Sequence, residues 1–417
     1  MNRKKQIFKG IKVADFSWVG VGPQVVRELA EHGAKVIRVE CHRYPDTLRT
    51  IFPFKDFKPG IDRSAFGACY NTNKYGMSLD LNMPKGQEVA KRLVEWADVI
   101  TDSMTPGTMA KWGLDYENCQ KIKPDIIYYS TCQMGQIGPY AKFGGYGMFG
   151  TSYAGFCHLL GWPDRSPLPL FNNYTDFISP WYLCLTLILA LLRRMKTGKG
   201  MYLDQSQVEV GAQFIGQILL DYTVNGRIQN RLGNRDNQMA PHGIYRCKGE
   251  NRWIAIAVMN NKQWNAFCNI TDNTALANDP RYTTILQRKQ NEDELDNIIS
   301  RWTCNYTPEQ VMEMMQKEGI PAGIVETAED LFKDPQLKHR KHFRFMKHRV
   351  IGNMAFNSPA YQLSKTPNHI WKVSPCLGED NDYVYREILG YSKKEIAEML
   401  AEGVITTKED VPAVLKE

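Results

Sequence analysis

The order of apolar and polar residues predicts alternating strands and helices in the first half of the chain. Residues 11–17 form a short apolar-rich strand candidate. Residues 24–32 place Val25, Val26, Leu29 and Ala30 at helical spacing, with Gly33 as a stop, and residues 34–40 read as a second strand. A helix over residues 85–97 leads into a strand at 98–101, and Pro124 opens another strand at 125–131. This alternation predicts a parallel sheet covered by helices on both faces. Residues 176–195 read as one apolar helix with Pro180 in its first turn, followed by Gly198 and Gly200. A last strand at 202–204 and a long helix over 206–224 come next.

Residues 225–239 are polar and poor in apolar side chains, and are read as a linker. Beyond them the period changes. Residues 243–247 and 252–258 alternate around the turn Lys248-Gly249-Glu250-Asn251, a hairpin signal. Thr307-Pro308-Glu309-Gln310 opens a helix with a capping residue, a proline at the first helical position and a glutamine to close the box. Ser392 and Glu395 repeat that device near the C-terminus. The second region is expected to be a smaller α+β domain.

Composition narrows the class. A chain of 417 residues suggests two or three domains. With 43% hydrophobic and 23% charged residues, neither wholesale disorder nor a fibre is expected. The net charge of +7 is mild for this length; it suits an anionic ligand without requiring nucleic acid. The basic run from Lys338 to Arg349, with Phe343 and Phe345 interleaved, reads as a solvated or interchain surface. None of the ten cysteines is spaced for a metal knuckle or a redox pair, so no metal is expected. The first residues lack the apolar core of a signal peptide. The most apolar stretch, 177–192, is shorter than the roughly 18 to 20 residues that span a bilayer. A soluble cytoplasmic protein without a membrane partner is the expectation.

Two places look chemical. Gly20-Val21-Gly22 sits between a strand and a helix, with Glu40 at the end of the next strand, close to a dinucleotide fingerprint. Val25 occupies the third glycine's place and Pro23 removes a backbone N–H, so a tight turn fits better than nicotinamide binding. Asp176 in Asn173-Tyr174-Thr175-Asp176-Phe177 opens the apolar helix. It reads either as an N-cap or as a carboxylate nucleophile suited to activated acyl groups such as thioesters.

The chain resembles the class III CoA-transferases, the family of formyl-CoA and carnitine CoA-transferases and the bile-acid-inducible proteins. The likeness runs through Val13-Ala14-Asp15-Phe16-Ser17, Gly33-Ala34-Lys35-Val36-Ile37-Arg38-Val39-Glu40, Asn71-Thr72-Asn73-Lys74, Tyr174-Thr175-Asp176, Arg193-Arg194-Met195-Lys196-Thr197-Gly198-Lys199-Gly200 and Leu377-Gly378-Glu379-Asp380-Asn381. It implies that Asp176 attacks an acyl-CoA to give an aspartyl anhydride, then an aspartyl-CoA thioester, before CoA passes to a second acid. CoA or acyl-CoA is thus a substrate and no metal is used. The family's CoA-contacting positions fall on Val19, Gly20, Leu79, Ser103, Met104 and Lys111, with Lys74 a further candidate for phosphate.

The resemblance further implies a Rossmann-like large domain formed by residues 1–224 and 331–417. A linker at 225–240 and a small α+β domain at 241–330 separate those parts, and the assembly would be an interlocked homodimer. Gly20 replaces a glutamine of formyl-CoA transferases, Cys41 replaces a basic residue, and Gly145-Tyr146-Gly147 lacks the acidic residue of many members. Met239-Ala240-Pro241-His242-Gly243 stands where those enzymes carry a glycine-rich lid. Larger acids, such as dicarboxylates, aryl-succinates or carnitine-like acids, are therefore expected over formate or oxalate. Two alternatives share the fold: an acyl-CoA racemase, whose histidine is missing after Gly144, and a non-catalytic partner subunit.

Overall fold

The structure, a computed structural model, describes residues 6–169 and 173–415. Six parallel strands form its main sheet: β1 (Lys12–Asp15), β2 (Lys35–Glu40), β3 (Lys74–Ser78), β4 (Val99–Asp102), β5 (Ile127–Cys132) and β6 (Met201–Ser206), in the order β3-β2-β1-β4-β5-β6. In register, Val13 lies beside Val36 and Val99. These valines join Ile127 and Tyr129 under the helices Val21–Glu31 and Tyr174–Thr197, through Val25, Leu29, Leu183 and Leu187. The alternate residues Ala14, Ile37, Ile100 and Tyr128 face Val89, Leu93 and Val94 of the helix Pro84–Trp96. Burial on both faces explains why the strands read as near-continuous apolar runs. The sheet is Rossmann-like, and the smaller antiparallel sheet described below completes the expected fold class.

The apolar helix differs from the sequence reading. It runs from Tyr174 to Thr197, so Pro180 lies inside it and Asp176 is not its cap; Asn173 holds that position. At 24 residues it is long and apolar enough to cross a membrane by length and composition, which corrects the shorter reading. Its inner face is instead packed on the sheet. Gly198 ends it in a left-handed conformation, φ 68°, with its N–H on the Arg194 carbonyl. A Cβ on Gly200 would stand 1.9 Å from the Ile126 carbonyl oxygen, so only glycine lets the chain enter β6 there. Arg193 donates to the Lys199 and Gly200 carbonyls, and Arg194 pairs with Asp98 at 3.0 Å and with Asp125. The Arg193–Gly200 motif is thus a helix-to-strand corner. The single helix expected after β6 is two, Gln207–Phe214 and Gly216–Asn225, broken at Ile215.

By compactness the chain divides into two units. The first is Met1–Phe156, Pro169–Gly226 and His339–Glu417; the second is Cys157–Leu168 with Arg227–Lys338. Residues 157–168 join the second unit because Trp162 packs on Gly233, where a Cβ would stand 2.5 Å from the indole, and Arg231 donates to the His158 carbonyl. Within that unit β7 (His242–Arg246), β8 (Trp253–Ala257) and β9 (Ala322–Ile324) form an antiparallel sheet over Trp264, Phe267, Leu295, Ile299 and Val311. Both capping boxes form as expected, at Thr307 and at Ser392.

The first unit is completed by the chain's last segment. The basic run contains β10 (Phe343–His348), paired antiparallel with β11 (Gly352–Asn357). Asp380 accepts the Gly76 N–H at 2.8 Å, Asn381 accepts that of Ser78 at 2.8 Å, and the Tyr385 hydroxyl donates to the Ser78 carbonyl. The Leu377–Asn381 motif is therefore a clip on β3. Val384, Tyr385, Met399, Val404 and Ile405 fill the same core as Ala14 and Ile100.

Candidate active site

The order of the sheet reverses between β1 and β4, which opens a crevice at the carboxyl ends of those strands. The turn after β1 enters it as Trp18-Val19-Gly20. Val19 has φ 50°, a strained conformation for a β-branched residue. The neighbouring contacts over-determine it. The Val19 N–H donates to Asp46 at 3.1 Å, the Trp18 N–H donates to Ser103 Oγ at 2.7 Å, and that hydroxyl donates back to the Trp18 carbonyl at 2.5 Å. On the β4 side, Asp102 accepts the Met104 N–H at 2.9 Å and the Ser130 hydroxyl at 2.6 Å. Burial pushes the Asp102 carboxyl up to about 6.

Beneath this turn lies a buried ionic network. Arg38, fully enclosed, reaches Asp15 at 3.4 Å, Glu40 at 3.7 Å, Asp46 and the Ser17 carbonyl. Arg49 binds both oxygens of Glu40 at 2.8 Å and Asp62 at 2.7 Å. Burial raises the Asp15 and Glu40 carboxyls, but Lys74 and Arg38 outweigh it at the first, and Arg49 and Arg38 at the second, holding each at about 2. At Asp46 burial wins and the pKa is raised. The network anchors Asp46, and Asp46 anchors Val19.

Asp176 closes the crevice from the side, on the first turn of its helix. It is 7% exposed and has no cation beside it among the described residues, and burial raises its carboxyl to about 7, against a hydrogen bond with Asn173. Two glycines make room for it. A Cβ on Gly20 would lie 3.0 Å from Asp176 Cγ, and one on Gly147 would lie 2.3 Å from Oδ2. A chamber of about 290 Å³ is lined by Asp176 with Val19, Gly20, Ser103, Met104, Gln133, Gly147 and Gln207 among others. No lysine, arginine or histidine stands among its lining residues. The described residues hold no cluster of three or more His, Cys, Asp or Glu that could bind a metal.

The sequence pattern of CoA-transferase family III matches residues 8–381. The chain belongs to CoA-transferase family III. This CoA-transferase is 29% identical to a succinyl-CoA–D-citramalate CoA-transferase of Chloroflexus aurantiacus, over 95% of this chain and 97% of that protein. It is 30% identical to a succinate–glutarate CoA-transferase of Agrobacterium fabrum, over 93% and 97%. Its fold matches a crystal structure of a CaiB/BaiF family protein from Brucella suis with a TM-score of 0.84 and 27% identity, covering 92% of this chain and all of that one. It is an enzyme that acts on CoA thioesters as substrates, as its family does.

Of the residues singled out in the CoA-transferase sequence, Asp176, Val19, Gly20, Ser103 and Met104 come together on the chamber. Three others lie elsewhere. Lys74 is fully buried, its ammonium spent on Asp15 at 3.0 Å, the Pro23 carbonyl and Asn71 at 2.9 Å each, and burial lowers it to about 8. It holds the ionic network and has no donor left for a phosphate. Leu79 is 1% exposed in the core. Lys111 is exposed on the short helix Thr108–Lys111 and does not line the chamber. His242 lines a separate opening of about 940 Å³ in the second unit. Its Nδ1 lies 2.7 Å from the Asn234 carbonyl, so that nitrogen carries the proton.

Sequence reasoning missed Gln133, Gln207 and the steric role of Gly147, for no local pattern marks them. Gly147→Ala is expected to displace Asn173 and Asp176, costing about 1 to 3 kcal/mol of stability. The same displacement should lower transfer at least ~100-fold, since the placement of groups lining an active chamber is felt on the ångström scale. Steady-state rates and thermal melts check this; an unaltered rate would remove Gly147 from the site.

Proposed function

We propose that the protein transfers CoA between organic acids through covalent intermediates on Asp176. The observation that carries the reading is the Asp176 carboxyl itself. It is buried, lacks a paired cation among the described residues, and lines a chamber at the sheet's switch point, where two glycines leave it sterically open. A desolvated carboxylate is a stronger nucleophile than a hydrated one, and a chamber that limits water protects an anhydride from hydrolysis. Asp176 attacks the thioester carbonyl and releases CoA thiolate. The thiolate attacks the aspartyl carbonyl and frees the donor acid. The acceptor carboxylate attacks the resulting aspartyl-CoA thioester, and the thiolate finally takes the new acyl group. Every step conserves an activated acyl bond.

The turn Val19-Gly20 and the segment Ser103-Met104 are proposed to hold the pantetheine arm. The names of the relatives favour succinyl-CoA as donor and a dicarboxylic acid as acceptor. The test is a screen of acyl-CoA donors against mono- and dicarboxylic acids, with the enzyme trapped in turnover and digested. A CoA-sized mass on the peptide carrying Asp176 is expected, and a stable adduct on another peptide would overturn the assignment.

The reading extends to the assembly. Trp181, Leu185, Leu189 and Leu192 line one face of the Tyr174–Thr197 helix, between 42% and 58% exposed. An apolar stripe of that size calls for a cover, and a second copy of the chain is the proposed one, in a soluble cytoplasmic dimer. Sedimentation should give twice the chain mass; the mass of a single chain at micromolar concentration would refute it.

A further inference from the structure

Gln133 and Gln207 stand together on the chamber wall, at the ends of neighbouring strands. The β5–β6 register sets Cys132 opposite Ser206, and each glutamine follows one of these residues. Their backbones are tied, because the Gln133 carbonyl accepts the Val208 N–H at 3.0 Å and the Ser206 hydroxyl at 3.2 Å. Their side chains are tied as well: Gln133 Nε2 donates to Gln207 Oε1 at 3.1 Å. Both residues are 7% exposed.

This geometry fixes which way Gln207 faces. Its carbonyl is occupied by Gln133, and its own NH2 meets no acceptor among the described residues. Gln133 Oε1 is likewise buried without a partner. In this arrangement Gln207 accepts from Gln133 and keeps its own NH2 for another partner. The NH2 of Gln207 is therefore presented to the chamber that Asp176 also lines.

We propose that Gln207 is a further catalytic residue, whose NH2 donates to the acyl carbonyl oxygen as Asp176 attacks it. This deepens the function proposed above and rests on it. In the step concerned, an Asp176 oxygen forms a bond to the thioester carbon and the carbonyl π pair moves onto its oxygen. The C–S bond then breaks, the C=O bond re-forms, and the thiolate leaves with the electron pair. Negative charge develops on that oxygen inside a chamber with no lysine, arginine or histidine in its lining, so a fixed neutral donor counts for more there than it would in water. The chamber, about 290 Å³, lies at the small end of ligand sites, and Asp176 and Gln207 share its lining. Gln133 is the positioning residue, and it acts by holding Gln207 in register.

A carbonyl oxygen in this chamber has two sources, the reacting acyl group or an amide of the pantetheine arm. Steady-state kinetics of the full-length protein, with succinyl-CoA as donor and glutarate as acceptor, separates them. Gln207→Met keeps the volume and removes the donor. It is expected to lower kcat ~100-fold with the KM for succinyl-CoA unchanged, as loss of one oxyanion donor does. Gln133→Met leaves Gln207 unheld and should lower kcat by a smaller factor, again without a change in KM. A rise in KM at constant kcat would assign the amide to pantetheine and overturn the proposal. Unchanged kinetics in a variant with native circular dichroism would overturn it too, with the CoA-transferase reading intact. That reading fails separately if the wild-type protein forms no CoA adduct on the Asp176 peptide with any donor.

Discussion

Asp176→Asn is expected to abolish CoA transfer, at least ~10,000-fold, while making the folded protein more stable above neutral pH. The two effects have one cause. An amide cannot form the proposed anhydride, and without that nucleophile only binding and positioning remain. Burial raises the Asp176 carboxyl from 3.8 to about 7 in the folded chain, so ionising it there is costly. A group whose pKa is raised on folding contributes its stability at low pH and loses it as pH rises. At pH 3 the carboxyl is neutral in both states and costs nothing. From about pH 4 the unfolded chain gains by ionising, and the penalty on the folded chain grows until about pH 7. Above that it is constant, up to about 4 kcal/mol at ~1.4 kcal/mol per tenfold change in acidity. Thermal melts of wild type and Asp176→Asn should coincide near pH 4 and separate by several degrees at pH 8. The wild-type kcat/KM should rise with pH to a plateau above about 7, because the proposed attack requires the ionised carboxyl. A variant that melts lower than wild type at pH 8, or that retains transfer, would sink the assignment.

The second large effect is expected at Arg38, which does not itself line the chamber. Arg38→Met removes the cation shared by Asp15, Glu40 and Asp46 and leaves their carboxylates in the interior. Breaking a buried pair by removing one partner costs about 3 to 5 kcal/mol, because the remaining charge stays desolvated. Lys74 and Arg49 retain part of the network, so the loss falls chiefly on Asp46, which no other cation reaches among the described residues. Asp46 also holds the Val19 N–H, so the turn above it should relax and CoA affinity should fall together with stability. Urea unfolding of Arg38→Met within 1 kcal/mol of wild type would show that the network is not what holds the first unit together.

The parallel sheet was legible in the sequence because burial on both faces gives each strand a short apolar run between helical periods. β9 was not, since three residues carry no period, and β10 was hidden because its alternation lies under a run of arginine, lysine and histidine. At the site, Asp176 could be found from its motif, but its place in the helix could not: a cap and a third helical residue differ by the path of the preceding chain. Lys74 and Leu79 read as ligand contacts because their neighbourhood matches a CoA-binding family, whereas their side chains turn into the interior. Gln133 and Gln207 are separated by 74 positions and become a pair only through the register of β5 and β6. No local rule reaches across that distance.

The clip on β3 has a consequence for the order in which the protein is made. Residues 384–405 belong to the same apolar interior as the first strand. The clip at Asp380 and Asn381 occupies amides of the sheet's edge strand. During synthesis, the ribosome must extrude the chain through residue 405 before that interior can close. The nascent first half therefore waits with an uncovered flank until residues 380–405 have emerged.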